Sequence, residues 1–162
     1  MMNKQRGFTL IEVGLYVALL VILLGGGIMA AYNIIESTIF NQTKSTVYNE
    51  GNFLLSKINW EVSGSSAISA PAPGTPGSVL TLTKSDSSTV TLKLVGTDMV
   101  IVRGSAAPVT LNNDTVQISD LSFDTQISSI SQSVATSFTV SARTDDGKIF
   151  SQSFSGVKYL RK

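Results

Sequence analysis

The chain has 162 residues, room for one ordinary domain and short of two. Hydrophobic residues make up 43% and charged ones only 14%, and a formal net charge of +1 marks neither a binder of acidic substrates nor a general nucleic-acid binder. There is no cysteine and no histidine, which removes disulfides, thiolate nucleophiles, imidazole metal ligands and histidine general bases together.

The chain opens with a short basic stretch containing Lys4 and Arg6, and then turns apolar at Phe8. From Phe8 to Ala31 the one charged side chain is Glu12. As a helix this run of about 24 residues reaches about 36 Å, enough to cross a hydrocarbon layer of about 30 Å. The basic residues on its N-terminal side place that end in the cytoplasm and the rest of the chain outside. Three readings fit the composition: a secretory signal cut near Ala30-Ala31 where small residues gather, an uncleaved signal anchor, or a specialised export signal. A carboxylate in lipid costs roughly 2.5–3.5 kcal/mol on insertion scales, and the first two readings leave Glu12 without a reason.

The stretch Lys4-Gln5-Arg6-Gly7-Phe8-Thr9-Leu10-Ile11-Glu12 resembles the class III signal of type IV pilins and pseudopilins: a basic leader ending in Gly, then Phe-Thr-Leu-Ile-Glu. The resemblance implies cleavage after Gly7 by a prepilin peptidase, methylation of the new Phe8 amine, and polymerisation into a filament. It also implies that Glu12 pairs with the Phe8 amine of a neighbouring subunit, turning two costly charges into one ion pair. Cleavage at Gly7 removes Lys4 and Arg6 and leaves the mature chain close to neutral. Gly14 and the Gly25-Gly26-Gly27 triplet interrupt the run. They serve close helix packing in lipid, or a stretch that loosens on assembly in place of the proline many pilins carry; here the first proline is Pro71.

Helical spacing continues beyond the apolar run. Ile35, Ile39, Val47, Leu54 and Ile58 form a stripe, widened by Phe40, Phe53 and Leu55, and a helix reaching Trp60 would be about 80 Å long. Trp60, the single tryptophan, is expected to pack at the helix end. Residues 64–77, rich in Ser, Ala, Gly and Pro, read as a connecting loop. Period two then takes over. Short strands are predicted at 79–83, 89–95, 99–103, 109–111, 116–123, 137–143 and 149–154, separated by turn-forming residues and paired antiparallel. The faces Val90/Leu92/Leu94 and Phe138/Val140/Ala142 imply one packed side, with the helical stripe from Ile35 to Ile58 as its partner. Residues 128–137 read as an exposed loop.

The expected fold class is therefore α+β: a long N-terminal helix against an antiparallel sheet head, which is also the pilin-like layout. The expected division is a leader over 1–7, a membrane and assembly helix over 8–31, an amphipathic helix over 32–62, a loop over 63–78 and a β-rich head over 79–162.

No catalytic constellation emerges. No Gly-x-Ser-x-Gly elbow occurs and no serine is set apart by its context. Asp145-Asp146-Gly147 reads as a hairpin turn, and so does Asn112-Asn113-Asp114, although some pseudopilins hold calcium in their heads. Lys158, Arg161 and Lys162 read as a solvated C-terminus and carry no nucleic-acid assignment. No phosphate cradle is present, so ATP hydrolysis falls to another protein. The expectation is a non-enzymatic filament subunit, minor more than major, without cofactor or metal. Its expected partners are the prepilin peptidase, other pilin or pseudopilin subunits, an inner-membrane assembly platform, and membrane lipid before assembly. The alternative is a membrane-anchored or secreted β-domain that recognises a surface or polymer.

Overall fold

With no proline before Pro71, the N-terminal third lacks the residue that stops a helix most firmly, and its glycines weaken the helix without ending it. In the computed structural model, which describes residues 9–127, 131–144 and 146–160, α1 spans Leu10–Ser63 without a break. The chain forms two compact units, Met1–Asn41 and Gln42–Lys162. In the first unit, α1 buries none of its most apolar stretch, and its length and composition suffice to cross a membrane. Leu10, Leu20, Ile22, Leu24 and Ile28 are all exposed. A helix apolar on every side has no stable place in water.

In the second unit α1 behaves differently. Its buried residues are Val47, Gly51, Leu54, Ile58, Glu61 and Val62, one narrow stripe at helical spacing. Among the described residues eight strands stand against it: β1 (Ala67–Ala70), β2 (Leu80–Thr83), β3 (Thr89–Val95), β4 (Asp98–Arg103), β5 (Val109–Thr110), β6 (Val116–Ile127), β7 (Gln132–Arg143) and β8 (Ile149–Tyr159). They form two antiparallel sheets, a five-stranded one in the order β1-β2-β3-β4-β5 and a three-stranded one in the order β6-β7-β8. Tight turns between successive strands give this meander order directly. Val47, Leu54 and Ile58 join Leu80, Leu82, Leu92, Phe123 and Phe138 in one core.

The helix approaches β8 closely at two glycines. A Cβ added at Gly51 would come within 2.2 Å of the Phe154 ring, and one at Gly156 within 3.2 Å of Leu55. Phe154 has little room to yield: it stacks on Phe138 at 5.7 Å between centroids and meets Tyr48 edge-on at 6.2 Å. Two glycines, one on each element, thus set the spacing between helix and sheet.

The C-terminal end of α1 is fixed by charge. Glu61 is fully buried, with Arg103 2.7 Å from Oε1 and Lys84 3.0 Å from Oε2. Lys84 also donates to the Glu61 carbonyl at 2.9 Å. It supplies the positive charge that the last turn of α1 itself lacks, where the helix dipole favours it. Burial pushes the Glu61 carboxyl up, but Lys84 and Arg103 overcome that and hold it below the ordinary glutamate range.

Several sequence expectations need correction. The head contains two sheets, not one, because the chain between β5 and β6 restarts the pairing instead of extending it. The loop expected over 63–78 contains β1, which pairs with β2 through a register shift between Ile68 and Ala70. The loop expected over 128–137 belongs to β7 from Gln132 onward, a Ser/Thr-rich segment whose alternation of Val134, Thr136 and Phe138 buries one face. Of the expected helical stripe, Val47, Leu54 and Ile58 are fully buried, whereas Ile35 is 58% exposed and Phe53 51%. Trp60 does not pack at the helix end; it is 63% exposed, with Lys57 4.7 Å and Lys84 5.6 Å from its ring centroid.

Two stability outcomes follow from this packing. Gly51→Ala is expected to destabilise the head by about 1–3 kcal/mol through overpacking against Phe154, read as a lower denaturant midpoint in the full chain, with Gly51→Ala/Phe154→Leu recovering part of the loss. For Glu61, the lowered carboxyl pKa means its stabilisation is complete above the ordinary glutamate value and disappears as pH falls through the lowered one. Glu61→Gln should therefore cost about 2 kcal/mol at neutral pH, less than a fully buried pair because Arg103 is half exposed, and should flatten the acid limb of the stability profile. An unchanged acid limb in Glu61→Gln would contradict the assignment.

Candidate functional site

The first turn of α1 carries the feature that sequence reasoning singled out. Gly7 and Phe8 lie outside the described residues, so the site is described from Thr9 onward. Thr9 precedes the helix, and its carbonyl accepts from Glu12 N at 3.1 Å and Val13 N at 3.2 Å. The Thr9 hydroxyl accepts a longer bond from Glu12 N at 3.4 Å. Thr9-Leu10-Ile11-Glu12 is thus a capping-box sequence, with Thr at the cap and Glu at its third helical position. This local pattern was missed in the sequence, although Thr-x-x-Glu before an apolar run is its known signature. Glu12 is half-buried while its neighbours Ile11 and Val13 are exposed.

Along the same helix Val13, Tyr16, Val17 and Leu20 line a shallow apolar depression of about 410 Å³. Their spacing of three and four residues puts all four on one face, the geometry into which a neighbouring helix packs ridges. Gly14, Gly25, Gly26 and Gly27 sit within continuous helix, and an added Cβ would meet nothing within 4 Å at any of them. The chain's own fold gives no reason for these glycines, and what they leave is room.

The other residues weighed in the sequence resolve into structural roles. Asn112 Oδ1 accepts from Met99 N at 2.8 Å while its amide donates to Asp98 Oδ1 at 3.1 Å, so this buried side chain closes the turn after β5. Asn113 N donates to Glu50 Oε1 at 2.9 Å, tying the same turn to α1. Among the described residues no group of three or more acidic ligands converges. Asp146 bonds Thr144 and Lys148 within its own turn, and Asp145 lies outside the described residues. Arg161 and Lys162 also lie outside them, whereas Lys158 belongs to β8. A Ser-x-x-Lys spacing occurs at Ser155 and Lys158, and the alternation of β8 sends these two to opposite faces, so they form no nucleophile–base pair.

A long apolar N-terminal helix with antiparallel sheets against its C-terminal half is the α+β layout of pilin-like proteins. Residues 2–29 match the family described as the prokaryotic N-terminal methylation motif. The chain therefore carries the class III prepilin-type signal of type IV pilins and pseudopilins, on a helix that anchors it in a membrane. Comparison with curated proteins and with solved structures gave no significant match.

The capping box and the charge of Glu12 make different demands, and one substitution separates them. Glu12→Gln keeps a side chain suited to the box but removes the charge. If the charge is what matters, Glu12→Gln inserts in the membrane like the parent and fails to co-purify with filaments or sister subunits, by at least about tenfold, or roughly 1.4 kcal/mol per subunit contact. Normal incorporation of Glu12→Gln, with loss only in Glu12→Leu, would assign Glu12 to the cap alone.

Proposed function

We propose that the chain is a structural subunit of a filament assembled through its N-terminal helix, in a type IV pilus, a competence pilus or a type II secretion pseudopilus, and that it is a minor component. The observation that carries this reading is a helix segment with apolar residues on all sides and one acid in its first turn, inside a matched methylation signal. In the proposed sequence of events the chain inserts with its N-terminus in the cytoplasm and its head outside. A prepilin peptidase cuts after Gly7, and the Phe8 amine is methylated. The ammonium so exposed and the Glu12 carboxylate of an adjacent subunit then neutralise each other in lipid, which favours docking at an inner-membrane platform over staying dispersed.

In this reading Gly7 is recognised by the peptidase, Phe8 and Glu12 carry assembly, and Val13, Tyr16, Val17 and Leu20 supply the packing face. The chain contributes no chemistry of its own, and the energy for extrusion comes from a separate motor. The minor assignment rests on the several short hairpins of the head.

Intact-mass measurement of the membrane-extracted protein tests the proposal. The expected product begins at Phe8 and carries one added methyl group. Loss of everything through about Ala30 would instead identify a secreted domain, and retention of Met1 or Met2 through Gly7 a plain anchor. Either result removes the ammonium partner of Glu12 and overturns the filament reading.

A further inference from the structure

The three-stranded sheet ends on two edge strands, β6 and β8, and only one of them is covered. Along β6, Phe123 exchanges both backbone bonds with Gly77, the Thr125 carbonyl accepts from Gly74 N at 2.9 Å, and Ile118 N donates to the Thr97 carbonyl at 2.8 Å. Among the described residues β8 has no such cover. Its 11 residues pair with β7 without a register break. Leu160 N donates to the Gln132 carbonyl at 2.9 Å, and this bond fixes the phase of the ladder, in which the even-numbered residues of β8 bond to β7. The backbone groups of Ile149, Ser151, Ser153, Ser155, Val157 and Tyr159 therefore point away from β7. All six residues are exposed, and among the described residues no partner reaches their amide N–H groups. Of their carbonyls, that of Ser153 is engaged, by the Gln152 side chain at 3.0 Å.

An open strand edge is a row of unspent donors and acceptors, and folded proteins close theirs with proline, bulges, charge or short length. The edges of the five-stranded sheet follow this rule: β5 has 2 residues, and β1 has 4 with a register shift. From Ile149 to Val157, β8 follows none of it, having no proline, no bulge and no charged side chain. Lys158 is the one charge of the strand. The open edge is about 33 Å long. Exposed apolar side chains stand at both ends, Ile149 at one, Val157 and Tyr159 at the other. Its donors and acceptors recur at every second residue, and an extended polypeptide backbone is the ligand that repeats both at that interval.

Direction decides which chain can supply that backbone. Phe150 lies beside Lys44 and Tyr48, Phe154 against Gly51, and Gly156 against Leu55, so β8 runs the same way as α1 in the head. Copies anchored in one membrane lead into their heads from the same side, so their β8 strands run the same way and form no antiparallel pair. In a parallel ladder each residue bonds to the two that flank its opposite number. Identical strands then pair only when displaced by one residue, and the twofold axis of a closed dimer is lost. Among the described residues a second copy has no other strand to give, since β6 is covered and β1 and β5 are too short. The missing strand belongs to a different protein.

We propose that β8 is a strand acceptor: an extended segment of a different protein lies antiparallel along its open edge and becomes the fourth strand of the β6-β7-β8 sheet. The segment exchanges backbone bonds with Ser151, Ser153, Ser155 and Val157. It sets β-branched or aromatic side chains beside Ile149 and Tyr159, the cross-strand pairs that a sheet favours. The inference uses the membrane anchor and not the filament reading, so either can fail without the other.

The test uses the full chain in detergent micelles and a synthetic peptide of the β8 sequence, Ile149 to Tyr159, which carries no α1 and is free to lie antiparallel. In full register it sets Ile149 opposite Tyr159 at both ends. Two forms are compared. N-methyl groups at Ser151, Ser153 and Ser155 of the peptide block the edge that would face the protein. N-methyl groups at Gln152, Phe154 and Gly156 block its other edge instead. The second form is expected to bind and to slow hydrogen exchange at Ser151, Ser153, Ser155 and Val157 of the protein, amides that exchange freely without it. The first form should bind at least about tenfold more weakly. In the protein, Ser153→Pro removes one outward N–H and no ladder bond, so it should fold and weaken binding of the second form about tenfold. Equal binding of the two forms, no slowed exchange at millimolar peptide, or slow exchange of those amides before peptide is added overturns the proposal. So does self-association of the chain that Ser153→Pro abolishes in sedimentation, which would give the edge to a second copy.

Discussion

One helix in this protein must satisfy two different surroundings, and most of the structure follows from that constraint. Between Leu10 and Ile35 the side chains of α1 are apolar in nearly every direction and exposed, so no single face is privileged. Between Val47 and Val62 the same helix buries one stripe and leaves a mixed remainder, mostly polar but with Phe53 and Trp60 exposed. The first pattern suits a medium without water, where backbone groups must be satisfied within the segment and a helix does so by itself. The second suits a protein core, where only the side facing the sheets needs to be apolar. Neither stretch would be stable in the other's surroundings.

The acids along α1 record the same division. Glu12 sits in the first turn, where the helix dipole and the Thr9 cap give it local support. Glu50 reaches the Asn113 backbone and holds a turn of the head against the helix. Glu61 is fully buried and answered by Lys84 and Arg103, brought from the β2–β3 turn and the end of β4. With no disulfide available, the shared apolar core, these polar ties and the close approach at Gly51 and Gly156 fix the helix to its sheets. A head stapled by covalent bonds can tolerate looser packing; this one cannot.

Much of this was legible in the sequence because its cause is periodic. The change from period 3.6 to period two located the head, and β3 has the limits its pattern implied because Thr89 to Val95 alternates cleanly between turn residues. The methylation signal was legible for a different reason, since it is a local string and needs no fold. Features that depend on distant partners were not legible. Glu61 continues the stripe of Leu54 and Ile58 at helical spacing, which could have flagged it, but Lys84 and Arg103 come from elsewhere in the chain. Trp60 was misplaced because its size argues for burial, whereas the two lysines over its ring hold it at the surface. The start of β7 was missed because serine and threonine read as loop; only the register with β6 and β8 reveals that half of them are inward.

The position of Glu12 also bears on how an assembly of such helices would stay neutral. A helix N-terminus carries the equivalent of about half a positive charge, and removal of a leader would add a full ammonium beside it. A single carboxylate in the first turn can answer its own terminus or reach for a neighbour's. In a row of identical helices each offset from the last, every terminus can be served by the carboxylate of the adjacent chain, and the number of satisfied charges is conserved from one chain to the next. Only the chain at one end is left with an unanswered ammonium, and the chain at the other with an unanswered acid. Lipid makes both ends costly. Such a row grows more readily than it begins, and a subunit with a different head but the same first turn can enter it without disturbing the charge balance.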